Sequence, residues 1–178
     1  APGVPAELTP EVRPCDPALY GGVRAYHDGA VCLPTIANPH MTYVKTTVHE
    51  MGHHLENKIP GLQAACQQFL RARLAASPTD AQRQEVNLAQ AFPGSGYEPH
   101  ETGRQDEFGR HFGERSGYYV GKLYQWSRDT EILSMGLEAL WADPLRFAAE
   151  DPHYVQFLVG ALRGDLRPTA DDAPLPFE

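Results

Sequence analysis

Little in this sequence serves cross-linking, membrane insertion or phosphate binding. Only three cysteines occur, Cys15, Cys32 and Cys66, and no two form a CxxC pair. That spacing excludes a cysteine zinc site and a thioredoxin-type redox motif. One disulfide, with Cys15 and Cys32 as the candidate pair, is open in an oxidising compartment; the alternative is three buried thiols acting as small apolar side chains. No apolar run approaches the ~18–20 residues a membrane-spanning helix needs, so no membrane partner is expected. Basic residues are scarce and scattered: 15 Lys and Arg stand against 23 Asp and Glu, a formal charge of −8. Nucleic acid is therefore not an expected partner, because phosphate binding rests on a basic patch. The opening APGVPAELTP lacks a basic segment followed by an apolar one, so no signal peptide is expected, and the compartment stays open. Also missing are a nucleotide-binding glycine loop, a GxSxG elbow and any internal repeat.

What remains is the composition of an ordinary globular domain, 42% apolar and 21% charged over 178 residues. The expectation is one domain over 1–164, with a disordered tail over 165–178 (DLRPTADDAPLPFE). Proline-rich residues 1–18 suggest an extended arm. Asp28-Gly29 is a tight-turn dipeptide between short apolar runs and marks a β-hairpin. Asn38-Pro39 offers a helix start, and Val44, Val48, Met51 and Leu55 form an apolar stripe on a helix over roughly 40–57. Ile59-Pro60-Gly61 ends it. A second helix, about 62–76, carries Leu62, Cys66, Phe69, Leu70 and Leu74, and a polar helix is expected from about 79 to 92. Glycines recur at 94, 96, 103, 109, 113, 117 and 121, which favours a long loop over 93–125 with a short hairpin near Tyr118–Tyr124. An apolar helix follows from about Asp129–Thr130. Asp143-Pro144 and Asp151-Pro152 each combine a cap with a proline start, and Gly164 closes the last helix. The fold class is α+β: mainly helical, with a small antiparallel hairpin or sheet towards the N-terminus.

Within the first helix, Thr47-Val48-His49-Glu50-Met51-Gly52-His53-His54 contains HExxH. Positions i and i+4 share a helix face, so His49 and His53 can both aim an imidazole nitrogen at one ion. Glu50 sits beside that ion, placed to take a proton from the attacking water and pass it to a leaving amine. Gly52 permits close approach of another backbone element but costs ~1 kcal/mol relative to Ala in a helix, so something other than helix propensity explains it. A catalytic zinc site needs a third protein ligand and an open position. Glu131 is the candidate: a carboxylate opening a buried apolar helix needs a partner, and a metal supplies one, although charge at a helix N-terminus is the alternative. Glu138, seven residues on and on the same face, is either a rival ligand or a support for a histidine. His100, His111 and His153 lie downstream but not at metzincin spacing.

HExxH followed by a helix opening with Glu resembles the gluzincin branch of the zincin metallopeptidases. There the second helix supplies a glutamate ligand, often as N-E-x-x-S; here it is Thr130-Glu131-Ile132-Leu133-Ser134, with Met135 where an aspartate often supports a histidine. The orienting group must then come from elsewhere. TEILSMGLEALWADP with the preceding YYVGKLY is also similar to zincin-like domains found beside phage head-morphogenesis proteins and in toxin-like proteins. The resemblance implies a zincin-like fold and one catalytic zinc held by His49, His53 and Glu131. It also implies peptide or protein substrates, with Glu50 as general base. An extended peptide is expected to pair with the strand at about Ala30–Leu33. Tyr118, Tyr119, Tyr124 or His111 could donate to the oxyanion, Arg24 and His27 could line the cleft, and His54 is expected to be structural. The competing class is a metal-bearing binding or regulatory domain that cleaves nothing.

Overall fold

A computed structural model describes residues 8, 9, 11–14, 26–27, 31–33, 42–76, 84–104 and 117–166. Two small sheets flank a helical body. In the first, β1 (Val12–Pro14) runs parallel to β3 (Val31–Leu33), and β2 (Tyr26–His27) runs antiparallel to β3, giving the order β1-β3-β2. The strands of the expected hairpin correspond to the antiparallel β2–β3 pair, and Asp28-Gly29, expected as its turn, lies outside the described residues. The expected docking strand needs correction. β3 is the central strand and both its edges carry ladder bonds, which leaves no backbone edge for a peptide there.

Helix α1 (Thr42–Lys58) turns through Ile59-Pro60-Gly61 into α2 (Leu62–Ala76). The buried side of α1 is not the apolar stripe. Val44 is 48% exposed, and the residues most hidden are His49, Glu50, Gly52, His54 and Glu56. The stripe is displaced because this helix turns a polar, hydrogen-bonding face inward, with only Leu55 reaching the edge of the apolar core. By contrast α2 follows its pattern, burying Leu62, Ala65, Cys66, Phe69 and Leu70.

Of the segment expected to be a polar helix, residues 79–83 lie outside the described residues, and the described part holds β4 (Glu85–Asn87) and a short α3 (Leu88–Ala91) instead. Asn87 caps α3 by accepting from Gln90 N–H at 2.9 Å. The described parts of the glycine-rich stretch, 93–104 and 117–125, are likewise more regular than the composition suggests. β5 (Thr102–Arg104) pairs antiparallel with both β4 and β6 (Lys122–Leu123), after one helical turn over 117–120. No hairpin forms within 118–124. A Cβ on Gly121 would meet the Arg104 carbonyl oxygen at 1.8 Å, so glycine there permits backbones to cross rather than slackening the chain.

The last three helices match expectation closely: α4 (Ile132–Ala142), α5 (Pro144–Glu150) and α6 (Pro152–Arg163). Asp143 and Asp151 accept from Arg146 and Tyr154 N–H, both at 3.0 Å, and Gly164 adopts the left-handed conformation at φ 72°. α2, α4 and α6 enclose the core, where Phe69 stacks on Phe157 at 4.3 Å and the Tyr154 hydroxyl donates to the Ile132 carbonyl. A buried bidentate pair, Arg73 to Asp151 at 3.0 and 2.7 Å, joins α2 to the start of α6. Leu166 belongs to this core, so the ordered chain extends past 164. The rest of the expected tail lies outside the described residues. So does Cys15, and of Cys32 only the backbone is described. Cys66 is a buried free thiol. No helix among the described residues is long and apolar enough to cross a membrane.

Candidate metal centre

The site forms where α1 crosses α4, the most extensive contact between any two elements. Gly52 makes that crossing possible. A Cβ at this position would lie 2.4 Å from Ser134 Cα and 2.7 Å from its nitrogen, so the α4 backbone rests directly on the glycine. His49 and His53 stand on either side of this contact. Their Nε2 atoms each lie 3.3 Å from the same oxygen, Oε2 of Glu131, at the start of α4. Ligand atoms of all three residues lie within 4.8 Å of one another. Glu131 is fully buried and the His49 and His53 side chains are 10% and 12% exposed.

These residues can hold a metal ion. Tetrahedral zinc with bonds of 2.0–2.2 Å places neighbouring ligand atoms about 3.3–3.5 Å apart, close to the spacing found here. The donor set of two imidazoles and one carboxylate is also that of a catalytic zinc site. Among the described residues, no other His, Cys, Asp or Glu joins the three. His100 is exposed, and His153 packs against Phe69 at 5.4 Å. His111 and Arg24 lie outside the described residues, as does the side chain of His27.

Two of the three converging residues, His49 and Glu131, are held from behind. His49 Nδ1 lies 2.8 Å from Glu138 Oε1, which leaves Nε2 to face the site, and Lys45 bonds the other Glu138 oxygen at 2.8 Å. Glu138 is thus a support for His49 rather than a rival ligand. It reaches His49 from one turn beyond Met135 on α4. Glu131 is gripped on both oxygens. Tyr124 donates to Oε1 at 2.5 Å and Ser134 to Oε2 at 2.8 Å, while Lys122 Nζ lies 3.8 Å from Oε1. Lys122 in turn pairs with buried Glu101 at 2.5 Å and sits over the Tyr124 ring at 4.5 Å. Tyr124, one of four candidate oxyanion donors, therefore spends its hydroxyl on Glu131. Tyr119 stacks beside His49 at 6.0 Å, and Tyr118 packs against Phe92 instead.

The electrostatics follow from these contacts. Burial opposes charge on His49, but hydrogen bonds to Glu131 and Glu138 outweigh it and push its pKa up to about 10. Burial would also raise the pKa of Glu131, yet the two imidazoles hold it well below the usual carboxylate range. The two carboxylates thus favour the protonated form of His49, and an ion bound at Nε2 would displace that proton. Tyr124 is pushed well above its ordinary value by burial and by the charge on Glu131, and so stays a donor. Glu50 is 5% exposed and close enough for its charge to act on His49, but it is not one of the three converging residues. His54, pointing elsewhere, is 2% exposed, and burial lowers its pKa.

The chain was compared with known protein families, with curated proteins and with solved structures. None matches. Any assignment of chemistry rests on the site itself.

Proposed function

We propose that the chain is a zinc-dependent metallopeptidase of the gluzincin type. The observation that carries this reading is the convergence of His49 and His53 Nε2 on one oxygen of Glu131, together with Glu50 next to the first of these histidines in the chain. A site that only binds metal needs the ligands but no base, and Glu50 is the residue that such a site would not require.

When bound, zinc supplies Lewis acidity and brings the pKa of a water towards ~7. The protein does the rest. Glu138 and Lys45 hold His49 in the tautomer that presents Nε2. Tyr124, Ser134 and Lys122 fix the Glu131 carboxylate so that one oxygen faces both imidazoles. The carboxylate of Glu50 accepts the proton of the attacking water and later returns it to the leaving amine. Tyr119, stacked beside His49, is the tyrosine this reading assigns to the substrate side.

The test is hydrolysis of a broad peptide mixture, followed by mass spectrometry, for zinc-loaded native protein and for Glu50→Gln. Cleavage by the native protein that vanishes in Glu50→Gln, with zinc retained in both, supports the reading. Zinc retained with no cleavage by either would make the domain a metal-bearing binding module.

A further inference from the structure

The two helices that supply the ligands are joined by a second contact, one turn below the metal cluster, which the chemistry above does not use. Glu131 occupies the N-cap position of α4, at φ −96° and ψ 8°, yet its side chain caps nothing because it is committed to the histidines, Tyr124 and Ser134. A helix start without a cap leaves backbone N–H groups unsatisfied. Thr130 takes over that duty, its hydroxyl oxygen accepting from Ile132 N–H at 3.2 Å. The same hydroxyl donates its hydrogen to Glu56 Oε1 at 3.0 Å, and Thr130 N–H donates to that oxygen as well, also at 3.0 Å. Glu56 lies three residues after His53 on α1. It is 1% exposed and Thr130 is also 1% exposed, and no Lys or Arg is bonded to the Glu56 carboxyl among the described residues.

The adjoining segment is anchored in the same way. Asn57 and Gln63 both donate to Asp129 Oδ1 at 3.1 Å, and Gln67 donates to the Arg128 carbonyl at 2.7 Å. Those bonds involve exposed or half-buried groups and hold the chain leading to Thr130. The Glu56 bonds are fully buried and sit directly before the ligand.

We propose that Glu56 is a positioning residue of the metal centre. By holding both donors of Thr130 from the helix that bears His49 and His53, it sets where Glu131 presents its carboxylate to them. The proposal rests on reading the cluster as a metal site. Glu56 touches neither metal nor substrate and acts only through Thr130. What the site requires of it is an acceptor of the right length, so Gln meets the requirement and Ala does not.

The test compares full-length native protein with Glu56→Gln, Glu56→Ala and Thr130→Val. Three quantities are read: zinc Kd by chelator competition, the d–d absorption of the cobalt-substituted protein, and hydrogen exchange of the Thr130 amide in metal-free protein. Phe157→Leu, in the core between α2 and α6, serves as a destabilised control. Expected results are a zinc Kd weakened roughly 10–100-fold in Glu56→Ala and Thr130→Val, the range typical of supporting contacts behind a ligand, with an altered cobalt spectrum. Glu56→Gln should stay close to native, and Phe157→Leu should lose stability but keep its Kd and spectrum. Native-like zinc binding and spectrum in Glu56→Ala would overturn the proposal, as would equal damage in Phe157→Leu. If Glu56→Ala does not fold, Thr130→Val and Glu56→Gln decide by the same readings. Should native protein bind no metal, the metallopeptidase reading fails separately, and the Thr130 amide decides this one: protection lost in Glu56→Ala and kept in Glu56→Gln supports the clamp, and unchanged protection overturns it.

Discussion

Replacing Gly52 by alanine sets two effects of opposite sign against each other. In an isolated helix the change would stabilise by ~1 kcal/mol, through helix propensity. Here the added methyl would meet Ser134 Cα at 2.4 Å, Ser134 N at 2.7 Å and Leu133 C at 3.1 Å, all backbone atoms that no rotamer change can move. Bringing 2.4 Å to the 3.4 Å of ordinary contact separates α1 from α4 by about 1 Å. Overpacking of this kind costs about 1–3 kcal/mol, so the net effect is destabilising. The larger consequence falls on the site, because His49 and His53 ride on one helix and Glu131 on the other. Metal–ligand distances tolerate only ~0.2 Å, so a separation of about 1 Å should weaken zinc binding by at least roughly 10–100-fold. The assay is zinc Kd by chelator competition, with urea midpoints of the metal-free protein measured in parallel. A Gly52→Ala protein that is more stable than native and binds zinc equally well would refute the packing argument.

Other perturbations separate the parts of the structure. Glu138→Ala removes the partner of His49 Nδ1 and should weaken zinc about 10–100-fold, while Lys45→Ala, at a side chain 55% exposed, should change it far less; competition titration measures both. Asp151→Ala strands the buried Arg73 guanidinium and removes the α6 cap, for a loss of about 3–5 kcal/mol in urea unfolding, with zinc affinity unchanged in the folded fraction. Burial raises the pKa of Glu56 to about 9 against bonds from Thr130, so the folded state holds a proton that the unfolded state releases from ~4.5 upward. Its contribution to stability is therefore greatest at acid pH and falls as pH rises through about 4.5 to 9. In metal-free protein, Glu56→Gln should show a smaller decline in urea midpoint between pH 5 and pH 8.5 than native, and an identical decline would contradict the assignment.

Much of the three-residue cluster was legible because its histidines follow a local spacing. His49 and His53 at i, i+4 on a helix, and a carboxylate opening an apolar helix at Glu131, could be paired without coordinates. Gly52 pointed to a backbone contact, which proved to be Ser134. The Asp-Pro helix starts at 143 and 151 were equally plain, since cap and proline act within one turn. Long-range contacts were not legible. Nothing local says that Tyr124 reaches Glu131 rather than a substrate, or that Lys122 lies between Glu101 and Glu131. The apolar stripe on α1 misled because the buried face of that helix is polar, satisfied by groups 70 to 90 residues away in sequence. Glu56 carried a usable signal: it shares the face of His53, with no cation spaced along the helix to pair with it. By composition the glycines at 103 and 121 favour a loop, but each lies where another backbone comes close.

The proposed centre is one ion held by three residues, and the amount of zinc per chain tests it most directly. Metal-cleared protein would be reloaded, freed of excess and analysed for native, Glu131→Ala and Glu50→Gln. One zinc per chain in native and Glu50→Gln, with loss in Glu131→Ala, is the result predicted. Zinc unaffected by Glu131→Ala, or none bound by the native chain, would contradict it.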